Sequence, residues 1–243
     1  MKKNFLIIAL PIILLVSCSK DKTISPVTPG STGGNGVSKI KTWSNSASQR
    51  TYLYNNQGQL VEISSNTGSK VTYEYASSKI TMKQYNTGGI NDFTSVMDLD
   101  NNNLVITEKR PSNASFTGTF IYNDQKQMVK SIYIINGNPE TTDYFYSNGN
   151  CDSARHSSNN NWQYTRYFTY YTDKTNYLSN VAYGYPFFGS DNKNLKKTDY
   201  FKYNSGTQTP LATTTYEFDA QGRAVKETTS TGNNVFVNFI SYY

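Results

Sequence analysis

Within six residues, Cys151-Asp152-Ser153-Ala154-Arg155-His156, the chain gathers a thiol, a carboxylate, a hydroxyl, a guanidinium and its one imidazole. A hydrolase divides such groups among nucleophile, base and orienting acid, but draws them from separated segments fixed in one geometry. This run reads instead as a turn after Tyr146, so no catalytic residue is expected in it. Zinc needs several His and Cys ligands, and this sequence offers one His and two Cys. Cys151 reads as a buried structural thiol, because a reactive one needs a cationic neighbourhood and only Arg155 is near in sequence. Glycoside hydrolysis needs two carboxyls held about 5–10 Å apart across a cleft. The acidic residues show no such pairing in sequence, and Glu74 and Glu217 read as solvated strand positions. Neither a phosphate-cradling glycine loop nor a nucleophile elbow is found. The expectation is a non-catalytic chain with no metal and no cofactor.

Binding chemistry has better candidates. Gly184-Tyr185-Pro186-Phe187-Phe188-Gly189 places three rings around a proline in a loop, and rings in a loop are either packed or used. Two readings stand: the loop caps an open edge or end of a sheet, or Tyr185, Phe187 and Phe188 form a stacking platform for a sugar or peptide. Trp162, inside the polar run from Asn159 to Gln163, is a second platform candidate. Trp43 reads as a core anchor.

The elements that must position these rings repeat. Aromatic pairs one residue apart recur at Tyr52/Tyr54, Tyr73/Tyr75, Phe120/Tyr122, Tyr144/Tyr146, Phe168/Tyr170, Phe201/Tyr203 and Tyr216/Phe218, with Met97/Leu99 filling one gap. The first five steps between second members are 21, 24, 23, 24 and 24 residues, followed by 33 and 15. A spacing of two puts both rings on one face of a strand and the residue between them, such as Glu74 or Asp143, on the other. Asn55, Asp100, Asn123, Ser147, Asn204 and Asp219 follow the pairs as turn initiators, and Gly58 and Gly222 supply positive-φ positions. Second strands follow at Leu60-Val61-Glu62-Ile63, Leu104-Val105-Ile106 and Met128-Val129. The fold class is therefore all-β, an antiparallel meander of about eight repeated hairpins. It is left as an open twisted sheet or a partly closed barrel or sandwich.

Tyr54-Asn55-Asn56-Gln57-Gly58-Gln59-Leu60 and Phe218-Asp219-Ala220-Gln221-Gly222-Arg223-Ala224 resemble the YD repeat of RHS-type proteins. That resemblance implies a winding β-sheet over about residues 50–230. Long arrays of this family enclose a toxin, and eight units are too few for that. The chain is also similar to small repeat lipoproteins of Bacteroidetes, a likeness that speaks for fold and not for activity.

The N-terminus gives an address. Lys2 and Lys3, an apolar stretch from Phe5 to Val16 and small Ser17 form a secretory signal peptide over 1–17. It is too short to span a bilayer as a helix, which needs roughly 20 apolar residues. Leu15-Val16-Ser17-Cys18 resembles the lipobox of bacterial lipoproteins, which implies acylation of Cys18 (palmitate among its chains) and a membrane partner through that lipid. Ser19 in place of Asp implies outer-membrane sorting. Ser19-Lys20-Asp21 weakly resembles a surface-export signal, so periplasmic and cell-surface facing both stand. Asp152-Ser153-Ala154 resembles an O-glycosylation acceptor.

Residues 18–36 then form the lipidated cysteine and a linker, with two Pro and four Gly between Ser19 and Gly36. Such a stretch cannot repay its ordering entropy and reaches at most ~60 Å. Residues 37–243 form the repeat domain.

Charge narrows the partners. The full chain is +6, and loss of Lys2 and Lys3 leaves a mild excess without a basic cluster, so nucleic acid is not expected. With Cys18 committed to lipid, no disulfide is expected. The function read from these features is an outer-membrane-anchored binding or scaffold module for envelope glycan or protein. A polysaccharide hydrolase and a structural subunit of an outer-membrane assembly are the alternatives.

Overall fold

Period-two alternation folds into strands throughout residues 38–243, which the computed structural model describes. The signal peptide, Cys18 and linker expectations lie outside the described residues. In chain order the strands are β1 (Ile40–Ser44), β2 (Gln49–Tyr54), β3 (Leu60–Ser65), β4 (Lys70–Ala76), β5 (Lys79–Tyr85), β6 (Asn91–Leu99), β7 (Val105–Arg110) and β8 (Asn113–Tyr122). They continue as β9 (Met128–Ile135), β10 (Asn138–Ser147), β11 (Asn150–Ser158), β12 (Asn161–Thr175), β13 (Asn194–Tyr203), β14 (Ala212–Phe218), β15 (Ala224–Thr231) and β16 (Asn234–Tyr242). Each pairs antiparallel with its sequence neighbours, and β16 returns to β1 through Trp43↔Ile240 and Ser44↔Phe239, closing a barrel. Sixteen strands make the expected eight hairpins. The open-sheet and sandwich alternatives are corrected to full closure, which leaves no sheet edge unpaired.

The inward pairs recur along the barrel with one change from the expected order. Phe201/Tyr203 sits on β13, the return strand of its hairpin, and so begins no unit. The eighth inward pair is Ile240/Tyr242 on β16, 24 residues beyond Phe218. Tyr73 and Tyr75 do share the inner face, each ring centroid 6.4 Å from that of Phe187.

Turn chemistry recurs as well. The side-chain oxygen of Asn55 accepts from the backbone N–H groups of Gln57 and Gln59, and Asp100, Asn123 and Asp219 each accept from the residues two and four further on. Gly58 and Gly222 have φ of +73° and +76°, while Asn103 and Lys126 adopt +61° in units without glycine.

Tyrosine hydroxyls close the seams between hairpins. The β3–β4 ladder stops at Glu62↔Thr72, and two residues further on the Leu60 carbonyl accepts from Tyr75 Oη at 2.8 Å. The same step leads from Thr107 to Val105, bonded by Tyr122, and from Ser153 to Cys151, bonded by Tyr170. Tyr54, Tyr216 and Tyr242 do likewise for Ile40, Lys196 and Ala224. Strands that splay at this end would otherwise leave carbonyls buried and unpaired. The surplus of Tyr over Phe, 21 against 12, thus has a structural use.

Some outward residues are charged and paired across strands: Lys83 to Glu74 and Lys226 to Glu217 at 2.6 Å, Lys79 to Asp98 at 3.5 Å, and Lys130 and Arg155 to Asp143 at 3.1 and 3.5 Å; others are exposed and apolar, among them Ile121, Phe145, Phe236 and Phe239. Such exposed ion pairs contribute little stability.

Candidate functional site

The insertion between β12 and β13, residues 176–193, folds back into the barrel at the tyrosine-sealed end. It holds one helical turn, α1 (Asn180–Tyr183), and a 3-10 turn at Pro186–Phe188. Glycine makes the tight insertion possible. Gly184 takes φ +82°, and a Cβ there would meet Leu60 Cβ at 2.7 Å and Tyr54 Cε1 at 2.8 Å; at Gly189 it would overlap the Lys126 carbonyl. No side chain fits either position.

The rings singled out in this segment are packed. Phe187 is 4% exposed, Tyr185 meets the Tyr73 ring at 5.9 Å and donor–acceptor distance 3.4 Å, and Phe188 lies 6.1 Å from Phe120. The segment thus caps the barrel end, as in the first reading, while Phe188 also lines one of the cavities beside it. Trp162 stands apart at the other end of β12, 40% exposed, with Nε1 donating to Thr165 Oγ1 at 3.2 Å. The structure does not bring it together with the plug.

The six-residue cluster is also redistributed. Cys151–His156 is strand β11, not the expected turn, which shrinks to residues 148–149. Cys151 and His156 are buried while Asp152 is exposed. Burial pushes the Cys151 thiol up to about 11. His156 Nε2 lies 3.1 Å from Glu140 Oε2, its Nδ1 is 3.3 Å from Thr142 Oγ1, and its ring stacks on Tyr164 at 4.8 Å. Ser158 Oγ donates to Glu140 Oε1 at 2.6 Å. Here the carboxylate stands between the Ser158 hydroxyl and the imidazole, whose other ring nitrogen faces the Thr142 hydroxyl.

The plug packs asymmetrically. It presses on β2, β4 and β8 and leaves two cavities against β10–β15, of about 240 and 270 Å³. They share Tyr170, Asp191, Asn192 and Lys196. The first is completed by Tyr183, Leu195, Tyr216 and Glu227, the second by Tyr144, Tyr146, Cys151 and Phe168. Asp191 is held by its own loop: Oδ2 accepts from Asn180 N–H at 3.1 Å and Oδ1 from Asn192 N–H at 2.7 Å. Desolvation still raises its pKa, and those two bonds offset only part of that. Lys196 donates to Asp199 Oδ2 at 2.6 Å, which Arg166 also contacts. Glu227 accepts from Asn238 Nδ2 at 3.1 Å.

Aromatic walls with a few amides and carboxylates suit a small polar ligand with an apolar face. Of the lining residues only Phe188, in the second cavity, was a binding candidate from the sequence. The ring repeat marks Tyr144, Tyr146, Phe168, Tyr170 and Tyr216 as inward, but no local pattern says where the plug stops short of the wall. Among the described residues no group of three or more His, Cys, Asp or Glu could hold a metal ion.

No protein-family model matches the chain, and no curated protein matches it in sequence. Among solved structures it is similar to the crystal structure of a porin-like protein from Bacteroides uniformis. The TM-score is 0.61 at 16% identity, covering 84% of this chain and 96% of that one. The crystal structure of TcdB2-TccC3-TEV matches at TM-score 0.36 and 14% identity, over 84% of this chain and 12% of that one. That score carries no argument. The first likeness speaks for the barrel alone.

Proposed function

We propose that the chain is a non-catalytic binding or scaffold module of the bacterial envelope, tethered to the outer membrane by lipid on Cys18, with envelope glycan or protein as its partner. The observation that carries this reading is a barrel with a charged, ion-paired outer wall and a plug across one end. A spanning strand needs about 9–11 residues; β1–β5 have five to seven, while β6, β8, β10–β13 and β16 have nine or more. Lysine or arginine facing lipid costs up to ~2–4 kcal/mol each at mid-bilayer, and the outer wall carries several. A barrel of porin-like architecture that sits in water needs another attachment, and the lipobox resemblance supplies one. The experiment is capture of the native lipidated protein on isolated envelope material, separately stripped of protein and of polysaccharide. Loss of capture on one stripped fraction names the partner class; no capture on any fraction contradicts the reading.

A hydrolase is the second reading, favoured by Asp191 and Glu227 lining one cavity. Asp191 is committed to two backbone N–H groups, which argues for a positioning role. Should Asp191→Asn and Glu227→Gln each abolish measurable glycan cleavage by the native chain, the non-catalytic reading fails.

A further inference from the structure

The first cavity holds two polar groups that the protein does not use. Tyr183 lines this cavity between plug and wall, its ring 5.6 Å from that of Tyr52, and its hydroxyl makes no hydrogen bond among the described residues. Glu227 offers one oxygen to Asn238; the other is likewise unbonded and accessible. Tyrosine rings from Tyr170, Tyr183 and Tyr216 form the walls between them. A donor–acceptor group, a free carboxylate oxygen and ring faces in one recess match the hydroxyls and C–H faces of a sugar. About 240 Å³ falls below the ~300 Å³ where drug-sized sites begin, which limits the occupant to one ring.

Charge sets the class. Among the described residues neither Asp191 nor Glu227 has a cation beside it, whereas Lys196 is already committed to Asp199. An anionic ligand would meet like charge at short range, and an amine would meet its complement.

We infer that the cavity between the plug and β13–β15 is a binding site for a single neutral or amine-bearing sugar ring, held by Tyr183 and Glu227, and that it rejects acidic sugars. This rests on the binding-module reading and gives it a site. The test is ligand-observed magnetic resonance on the full lipidated chain in a detergent without a sugar headgroup. Glucose, N-acetylglucosamine, glucosamine, glucuronate and glucose 6-phosphate serve as probes, each up to about 50 mM.

Glucosamine binds tightest, the two neutral sugars bind more weakly, and the two anions do not bind. Glu227→Gln removes the amine advantage, about tenfold for a charge-assisted bond, and spares neutral sugars. Tyr183→Phe weakens all three, while Tyr167→Phe on the outer wall changes none. Anions binding as well as neutral sugars, or no probe binding, overturns the inference. If no probe binds while the native chain is still captured on envelope material, the cavity assignment alone falls. If capture is lost as well, the binding-module reading falls with it.

Discussion

Cys151 donates its thiol to the Ser153 carbonyl at 3.3 Å from inside the barrel, and its raised pKa of about 11 follows from burial. At pH 8 only about one thiol in a thousand would then be thiolate, against roughly a quarter for a free cysteine. Alkylation of the native protein should therefore run at least two orders of magnitude slower than after unfolding in urea; equal rates would show an exposed, reactive thiol. His156 poses the opposite question of sign. Desolvation lowers its pKa, and the Glu140 carboxylate opposes that without overcoming it. A neutral imidazole buried in this way contributes stability that is full above the unfolded pKa of about 6.5 and is lost as pH falls through the lower folded value. The urea midpoint of the native chain should drop between pH 7.5 and 5.5, and His156→Gln should flatten that slope. Equal slopes would mean that His156 does not carry the pH dependence, and a steeper fall in the variant would mean that the ion pair, not burial, governs the site. The sequence alone marks Cys151 as buried but not as a strand residue, and leaves His156 unplaced, because six neighbours that look like a cluster are parted by strand alternation, which sends successive side chains to opposite faces.

The recurring hairpin is a strand with an inward pair of large apolar residues, a turn and a return strand, and in six units a tyrosine reaches across the seam to the preceding hairpin. Tyr75→Phe removes one such bond and leaves the Leu60 carbonyl buried without its partner, a loss of about 1–3 kcal/mol. Tyr167→Phe, whose ring stacks on Tyr200 on the outer wall, should stay within about 0.5 kcal/mol. Urea unfolding of the two variants makes the comparison, and equal losses would refute the seam role. The hairpins were legible because ring spacing and turn residues are local signals. Phe201/Tyr203 misled because the plug and the 204–211 turn break the period, so a ring pair on a return strand imitates a new unit. Ile240/Tyr242 was passed over because its first member is aliphatic. The hydroxyl bonds had no sequence signature beyond the excess of Tyr, since they depend on how neighbouring strands splay.

Closure joins β1 to β16 across nearly the whole described chain, and it follows from twist and strand tilt accumulated over sixteen strands. No short stretch encodes it, which is why the repeat alone left open sheet and barrel as equals. The plug is the same kind of outcome: the ring-rich loop could be read as packed or as used, and only the closed wall shows what it packs against. As proposed above, the barrel lives in water beside a membrane and holds to it through Cys18. The direct test is cell fractionation of Cys18→Ala exported with its own signal peptide. The account predicts that native chain stays with the outer membrane, whereas the variant moves to the soluble fraction with unchanged strand content by circular dichroism. A folded variant that stays in the membrane pellet through alkaline carbonate extraction would contradict it.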